Sequence, residues 1–370
     1  MSFTITATDG NARAGTLTTP SGRSTPTPFF MPVMTRAVGK YVTPDDYERL
    51  GATATISNSL ILHFRPGEDI INHAGGLNAF MSFNGVTFTD CGGFQVSENS
   101  LASTTTKKGI TFKNPYSGEQ ELITPQKIMS IQQAIGADVA MAFDDMAPYG
   151  SSKERFEDAA ENTFRWHTES IRTHTRKGQL LFGIIQGGFD EHLRKTCAEN
   201  ITSLDFDGYA IGGVAIGEPR DEMYRAINAA LPHLPNDKPR YVMGVGSPED
   251  VVELVSKGID CFDSIYPTQN ARHNTIFTNE GRLLLDKAKY KNDYSPLDPA
   301  CTCWVCKTYT RAYLHHLNKV DSGAGKRLKT LHNIHFMLRL MEQLRTAIKE
   351  GTLQEFKTNF LNTWRRNKPA

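Results

Sequence analysis

The chain has 370 residues, of which 39% are hydrophobic and 22% are charged, a balance typical of a soluble globular protein. It contains neither a run of about 18 apolar residues nor an N-terminal signal-peptide core, so we expect a cytoplasmic protein without membrane contact. The net charge is +1, but residues 301–370 carry 13 Lys and Arg against 4 Asp and Glu. This basic part fits a polyanionic partner and fits a solvated helix equally well.

The first elements are a polar start, an apolar run and a helix. The first 25 residues are rich in Thr and predict a small antiparallel segment. The first compact apolar run, FFMPVMT, occupies residues 29–35. In the helix that follows, Thr43 suits the N-cap, Pro44 the first helical position and Gly51 the C-terminal stop.

The same helix punctuation recurs at residues 124–136 and 247–258, and each helix leads into an apolar run. A longer helical pattern at residues 151–178 begins with a Ser-x-x-Glu capping box. Its apolar positions are Phe156, Ala160, Phe164, His167 and Ile171. In all, the β-prone apolar runs lie at residues 29–35, 52–59, 85–94, 137–145, 180–188, 208–218, 240–246 and 258–267.

This alternation predicts the fold class. Near-continuous apolar strands separated by helices indicate a parallel sheet buried on both faces. Eight such units favour an α/β protein with a (β/α)8 TIM barrel, and an open doubly wound sheet is the alternative. The open sheet would be expected to carry Gly-x-Gly-x-x-Gly after its first strand, and the sequence after residue 29 does not supply it.

In such a barrel the carboxyl ends of the strands form one ring, where active sites lie. The runs place there Asp90, Asp144, Asp145, Gln186, Gly212, Gly213, Met243 and Asp263. Taken alone, each is explained by a turn or a helix cap. Taken together, two acids on opposed strands suit glycosidic chemistry, one attacking the sugar carbon and one handling the proton of the leaving group. A carboxylate, an amide and a backbone N–H also match the edge of guanine.

A second candidate site lies near the C-terminus. Cys301, Cys303 and Cys306 are close together and the other three cysteines are scattered, which favours reduced thiols and a metal over disulfides. His332 lies at the N-terminal end of a helical apolar stripe, beside its apolar face, and can complete a closed tetrahedral zinc site. The competing fourth ligands are His315, His316 and His335. We expect four units: an antiparallel segment (1–25), the catalytic barrel (26–275), a zinc-binding subdomain with closing helices (276–350) and a basic tail (351–370).

Seven ordered motifs resemble those of the tRNA-guanine transglycosylases. They are DCGGFQ (90–95), MAFDD (141–145), GIIQGG (183–188), YAIGGVAIGE (209–218), YVMGVG (241–246), FDSIYPTQNAR (262–272) and CTCWVC with HNI (301–306 and 332–334). These enzymes exchange guanine at the tRNA wobble position for a 7-deazaguanine base on the way to queuosine. The resemblance covers residues 26–350 and implies a zinc-bearing barrel of the bacterial and eukaryotic type.

The resemblance also implies individual roles. Asp263 would be the nucleophile on ribose C1′, Asp90 the general acid/base, and His332 the fourth zinc ligand. The residues expected to bind the base are Phe94, Asp144, Gln186, Gly213, Val214, Ile216 and Met243. The branched Ile216 side chain predicts a small C7 substituent, which favours 7-aminomethyl-7-deazaguanine over queuine.

The expected partners are a tRNA with a guanine wobble base, a free 7-deazaguanine base and a second subunit, identical or not. Candidates for RNA phosphate contacts are Arg272, Lys326, Arg327 and Lys329.

Several positions depart from the pattern of the family, namely Leu60 and Ile61 in place of a Tyr-His pair, Cys91, Met146 and Gln269. They leave open a paralogue that acts on DNA or on another tRNA position. A non-catalytic, zinc-containing RNA-binding accessory subunit is the other alternative, and the presence of both Asp90 and Asp263 disfavours it.

Overall fold

The computed structural model describes residues 2–92, 102–320 and 322–366. Its strands are β1 (Ser2–Asp9), β2 (Ala12–Thr18), β3 (Ser24–Thr27), β4 (Phe29–Pro32), β5 (Ala54–Asn58), β6 (Val86–Asp90), β7 (Ala102–Thr106), β8 (Gly109–Lys113), β9 (Gln120–Ile123), β10 (Val139–Met141), β11 (Leu180–Ile185), β12 (Gly208–Ile211), β13 (Arg240–Val242), β14 (Cys261–Ser264), β15 (Thr275–Thr278) and β16 (Gly281–Leu284).

Its α-helices are α1 (Pro44–Arg49), α2 (Ser59–Phe64), α3 (Glu68–His73), α4 (Leu77–Met81), α5 (Pro125–Ile135), α6 (Lys153–Thr173), α7 (Glu191–Thr202), α8 (Arg220–Ala230), α9 (Pro248–Val255), α10 (Tyr266–Arg272), α11 (Trp304–Thr308), α12 (Arg311–Lys319), α13 (Gly323–Glu350) and α14 (Leu353–Arg366). Short 3-10 helices span Leu231–His233 and Ala288–Asn292. Within the described ranges, no helix combines the length and apolar character needed to cross a membrane.

Eight parallel strands form the central sheet, in the order β4-β14-β13-β12-β11-β10-β6-β5. The two edge strands, β4 and β5, meet through a parallel bridge between Val33 and Ile56, and the Met34 N–H donates to the Ile56 carbonyl at 2.8 Å. The sheet is therefore nearly closed on itself. This closure confirms the predicted α/β barrel and rules out the open doubly wound sheet.

Aromatic side chains fill the barrel interior. Phe88 on β6 makes edge-to-face contacts with Phe182 on β11 and Tyr241 on β13, with ring centroids 5.7 and 6.3 Å apart. All three side chains are buried, and every residue of β11 and of β13 is buried. Strands covered on both faces explain why these segments read as continuous apolar runs rather than alternating ones.

The predicted helix signals are present at α1 and α5. Thr43 and Asp46 form a reciprocal capping box, with Pro44 in the first turn. The Thr124 side chain accepts the Lys127 N–H, and Gly136 ends α5 with φ of 68°, a left-handed conformation that favours glycine. Short-range capping chemistry was thus readable from the sequence.

The prediction for α6 was wrong in two respects. Ser152, and not Ser151, caps the helix by accepting the Arg155 N–H. Phe164 and Ile171 are exposed, because the buried face is centred on Trp166 and His167 instead. His167 Nδ1–H donates to the Phe143 carbonyl, while its Nε2 accepts the Ile184 N–H at 2.7 Å, which ties α6 to two strands. Burial lowers the pKa of His167 to about 3, so the ring is neutral.

The antiparallel sheet β1-β2-β3 covers the amino end of the barrel. Arg13 on β2 forms a buried ion pair with Asp260, the residue before β14, at 2.5 Å. Arg23 pairs with Asp138, the residue before β10, at 3.2 Å, and the Ser21 hydroxyl donates to the same carboxylate at 2.5 Å. Charge pairing therefore fastens this sheet to the end of the barrel opposite the strand ends of interest.

A second antiparallel sheet, β7-β8-β9, is inserted between β6 and α5, and nothing in the sequence reading predicted it. His63 in the last turn of α2 contacts Glu68 at 2.6 Å and Glu121 of β9 at 3.2 Å, which links this sheet to the barrel. Burial alone would lower the pKa of His63, but hydrogen bonds to the two carboxylates raise it above its ordinary value.

The last segment of the chain returns to the barrel. After α10, the hairpin β15-β16 and helices α11 and α12 precede the long helix α13, which packs against β1, β2, β4 and α10. Helix α14 packs on α9 and β16 and buries Trp364. Its Lys357 pairs with Glu253 at 2.9 Å, so part of the basic C-terminal region is used in packing.

Candidate active site

A cavity of about 770 Å³ opens at the carboxyl ends of the barrel strands. Four polar side chains at its wall come from four different strand ends: Asp90, Asp144, Gln186 and Asp263. The parallel sheet brings them together although they are widely separated in the sequence. The ring of strand-end residues expected from the barrel fold is therefore present.

Asp90 ends β6 and is held by two neutral donors. Its Oδ1 accepts the Asn58 side-chain amide at 2.8 Å and the Gly92 N–H at 2.7 Å. Burial raises its pKa to about 7, and the nearby Asp263 adds to the rise, while the Gly92 and Asn58 hydrogen bonds oppose it. Asp90 can therefore hold or release a proton near neutral pH.

Asp263 lies on β14 and is also bound by neutral groups. Its Oδ1 accepts the Tyr241 hydroxyl at 2.5 Å and the Gly244 N–H at 2.9 Å. Burial raises the pKa of Asp263 above its usual range, and these two hydrogen bonds lower it. Both donors bind Oδ1, and among the described residues no donor is found on Oδ2.

Asp144 and Gln186 form one hydrogen-bonded unit. The Gln186 amide donates to Asp144 Oδ2 at 2.6 Å, and the Cys91 thiol donates to Oδ1 at 3.1 Å. Burial raises the pKa of Asp144 to about 6, against the effect of these two donors. Near neutral pH the side chain is mostly an acceptor, which suits the N–H donors of a planar ligand.

The end of β12 brings bare backbone to the cavity. Gly213 has φ of 62°, a conformation that favours glycine, and a Cβ built there would lie 2.4 Å from Gln186 Oε1, so any larger residue would displace the Gln186 side chain. Just beyond it, the Ala215 and Ile216 N–H groups donate to the Glu218 carboxylate at 2.5 and 2.8 Å. Glu218 thereby fixes the loop on which Val214 and Ile216 line the cavity.

Two predicted base-binding residues remain, Met243 and Phe94. Met243 is half-buried and lines the cavity after β13. Phe94 lies outside the described residues. Of the positions that depart from the family pattern, Cys91, Met146 and Gln269 all border the cavity. Leu60 is buried beneath Gly92, where a Cβ would lie 2.8 Å from the Leu60 side chain.

The structure brings together Cys301, Cys303, Cys306 and His332. Their ligand atoms lie within 4.8 Å of one another, and His332 Nδ1 is 3.2 Å from Cys306 Sγ. The His332 Nε2–H donates to the Phe277 carbonyl at 2.8 Å, which leaves Nδ1 as the ligand atom and fixes the ring. Three thiols and one imidazole can hold a metal ion with no open coordination position.

Of the competing histidines, His335 lies near the Cys301 side chain but is not one of the four grouped ligands. Among the described residues, the only cluster of possible ligands of this kind contains His332 and none of the other three. His315 is buried, and its Nδ1 contacts the Leu285 carbonyl at 2.7 Å. Of the four histidines left open by the spacing, His332 is therefore the one that lies in the cluster that could hold a metal ion.

The four candidate RNA-binding cations do not form one exposed set. Lys329 is 2% exposed, and its ammonium donates to Asn274 and Asn318, so it does not face solvent. Burial lowers the pKa of Lys329 to about 8. Arg327 pairs with Asp46 of α1, while Lys326 and Arg272 are partly exposed. The basic count of the sequence therefore overstates the charge available to phosphates.

Sequence reasoning missed three residues that shape the cavity. Asn58 binds Asp90, Tyr241 binds Asp263, and Arg194 of α7 binds backbone carbonyls behind the cavity. Asn58 and Tyr241 follow or lie within predicted strands, so their position on the barrel was a usable signal. Arg194 belongs to a predicted helix, where nothing local separates a buried arginine from an exposed one.

Comparison with known proteins gives a consistent result. Residues 8–366 match the family model described as Queuine tRNA-ribosyltransferase. A protein of that name from Desulforamulus reducens is 45% identical over 353 residues, which cover 95% of each chain. The proteins of the same name from Pelotomaculum thermopropionicum and Oceanobacillus iheyensis are 44% and 46% identical. The matched regions cover 98% and 96% of this chain and 99% and 94% of those proteins.

Removing one ligand of the Cys3His cluster should remove the metal. We expect Cys303→Ala to carry less than one metal ion per chain and to unfold at lower denaturant concentration, because metal binding and folding are coupled. Elemental analysis of the purified protein measures the first effect and urea unfolding the second. Cys261→Ala is the matched control, since Cys261 is buried outside the cluster. Full metal occupancy in Cys303→Ala would contradict the assignment.

Proposed function

The chain belongs to the queuine tRNA-ribosyltransferase family, and from this premise we propose that it exchanges guanine at the tRNA wobble position for a 7-deazaguanine base. The family supports tRNA-guanine transglycosylase activity, a pentosyl transfer. The observation that carries the finer proposal is the pair of carboxylates, Asp90 and Asp263, at the wall of one cavity. Asp90 has a pKa of about 7, so it can exchange protons near neutral pH. Asp263 is oriented by two hydrogen-bond donors.

In the proposed reaction, Asp263 Oδ2 attacks ribose C1′ and the bond from C1′ to N9 of guanine breaks. The electron pair of that bond goes to the base, which takes a proton from Asp90. The incoming base then gives its N9 proton to Asp90 and attacks C1′, which breaks the ester and frees Asp263. The Tyr241 and Gly244 hydrogen bonds to Oδ1 support this assignment, because they fix the orientation of the attacking carboxylate.

Base recognition follows from the other polar groups. We propose that Asp144 accepts hydrogen bonds from N1–H and the 2-amino group of the base, and that Gln186 and the Gly213 N–H bind the acceptors on its other edge. Met243 would cover one face of the ring, and Phe94 the other. The burial of Asp144 supports this function, since a hydrogen bond to a carboxylate is stronger away from water.

We further propose that the Cys3His cluster holds Zn²⁺ as a structural ion, because its four protein ligands match the coordination that zinc prefers. The RNA would contact Arg272, Lys326 and Arg327 with its phosphates, whereas the buried Lys329 is unsuited to this. A dimer in the cytoplasm and a free 7-deazaguanine base as co-substrate complete the proposal.

The direct test is incubation with labelled guanine and an unmodified tRNA that has guanine at the wobble position. We expect label to enter the RNA without net change in its length. A tRNA with adenine at that position is the matched control and should gain none. Absence of label in the first RNA would contradict the proposed function.

The covalent step gives the first prediction from this mechanism. Asp263→Asn should abolish a denaturant-resistant protein–RNA adduct, because the amide cannot form the ribosyl ester. Asp90→Asn should lose turnover by a factor of roughly 10² to 10⁴, the usual contribution of a positioned acid or base. Gel electrophoresis in denaturant with labelled tRNA measures the adduct. An adduct that persists in Asp263→Asn would rule out this nucleophile.

The pH profile gives the next prediction. Attack on tRNA needs ionised Asp144 to accept from the base and protonated Asp90 to donate to it. Their pKa values are about 6 and about 7, so kcat/KM for tRNA should rise through pH 6 and fall above pH 7. Asp90→Asn should lose the alkaline limb in whatever activity it retains. A wild-type profile that is flat from pH 5 to 8 would contradict both assignments.

The third prediction concerns the incoming base. Ile216 lines the cavity on a loop fixed by Glu218, so a base with a bulky C7 substituent must displace it. We expect 7-aminomethyl-7-deazaguanine to be preferred over queuine by about ten- to a hundredfold, the effect of overpacking by about 1 to 3 kcal/mol. Ile216→Gly should narrow this ratio. A higher kcat/KM for queuine in the wild type would show that Ile216 does not close the pocket.

A further inference from the structure

Arg194 on α7 is fully buried, yet its hydrogen bonds within the described residues all go to backbone carbonyls. Its Nε donates to the Gly188 carbonyl at 2.7 Å, and its Nη1 to those of Ile185 and Gly212 at 2.9 and 2.7 Å. Its Nη2 donates to the Gly213 carbonyl at 3.1 Å. Among the described residues, no carboxylate lies within ion-pair distance of it. Burial lowers its pKa to about 10, so it remains charged at neutral pH.

These contacts fix the direction of one peptide group at the cavity. A trans peptide is planar, so its C=O and N–H point in opposite directions. Because the Gly212 carbonyl faces Arg194, the Gly213 N–H faces away from the guanidinium, on the cavity side. This N–H finds no acceptor among the described residues, which leaves it free for a ligand.

The same peptide would be mobile without that restraint. Both flanking residues are glycines, and a peptide between two glycines can rotate at little steric cost because neither residue carries a Cβ. A rotation of about 180° would turn the Gly212 carbonyl towards the cavity and withdraw the donor. An acceptor would then face the O6 acceptor of guanine, which is repulsive.

We propose that Arg194 is a positioning residue that holds the peptide between Gly212 and Gly213 with its N–H directed at O6 of the base. This inference rests on the proposed function, because it assigns the ligand atom that the N–H meets. The same guanidinium joins the ends of β11 and β12 through Ile185 and Gly212, so it also sets the position of Gln186 relative to that N–H.

The test compares three bases in Arg194→Lys, which keeps the charge but cannot span four carbonyls. Guanine and hypoxanthine both carry O6, and they differ in the 2-amino group. In 6-thioguanine a weakly accepting sulfur replaces O6, while N1–H and the 2-amino group remain. We expect kcat/KM for guanine to fall by about tenfold, the effect of one lost hydrogen bond, and that for 6-thioguanine to fall less. The guanine to hypoxanthine ratio should not change.

A variant that only loosens the fold would lower the activity with all three bases by the same factor. Arg240→Lys is the matched control, because Arg240 is also buried and donates to the Leu234 carbonyl at 2.9 Å near the opposite end of the barrel. It should leave both ratios unchanged. Arg194→Gln is a neutral second variant for the case in which the lysine variant does not fold by circular dichroism.

The outcomes separate the two levels of the proposal. A wild-type protein that incorporates no base contradicts the proposed function itself. An active wild type with a folded Arg194 variant whose guanine to 6-thioguanine ratio equals that of the wild type overturns the assignment of Arg194. A guanine to hypoxanthine ratio that shifts as much as the thioguanine ratio also overturns it, because the defect then lies in the whole pocket.

Discussion

Three carboxylates share one buried cavity, and this crowding of like charge is the constraint on which the site depends. Asp90, Asp144 and Asp263 are all stabilised by neutral donors, among them amide, thiol, hydroxyl and backbone N–H groups. None of the partners found among the described residues for these three is a cation. A cation would hold the carboxylates ionised, whereas burial with neutral donors keeps Asp90 close to its titration point at about pH 7. The parallel barrel makes this possible because its strands end together on one side.

The sequence was a good guide where the physics is short-range. The apolar runs predicted eight strands in the correct order, and Thr43 and Thr124 cap the helices that they were expected to cap. The side chains that follow the strands also lie together, since the carboxyl ends of the strands in a barrel form one ring. The α6 prediction failed because tertiary contacts of Trp166, which stacks on Phe143, decided the buried face over simple apolar spacing.

Contacts between residues far apart in the sequence could not be predicted from sequence patterns. Tyr241 and Asp263, and Arg194 and Gly212, are each about 20 residues apart, and only the assembled barrel brings them into contact. Lys329 was expected to contact RNA phosphates, but its ammonium is buried against two asparagines. A count of basic residues cannot reveal such burial. The sheet β7-β8-β9 was not predicted because β8 and β9 are short and partly exposed and carry little apolar signal.

The Cys3His cluster lies between α10 and the final helices of the chain. Strand β14 carries Asp263. Helix α13, which packs against β4, follows it in the chain only after the hairpin β15-β16 and the three cysteines. His332 lies on α13 itself, so an ion bound by the cluster fastens this helix to the segment before it. Strand β14 pairs directly with β4, so the cluster acts on the helix that packs over this seam and not on the pairing of the strands. Loss of an ion from these ligands would therefore loosen the packing of α13 while leaving every group that lines the cavity in place, since none of the four ligands lines it.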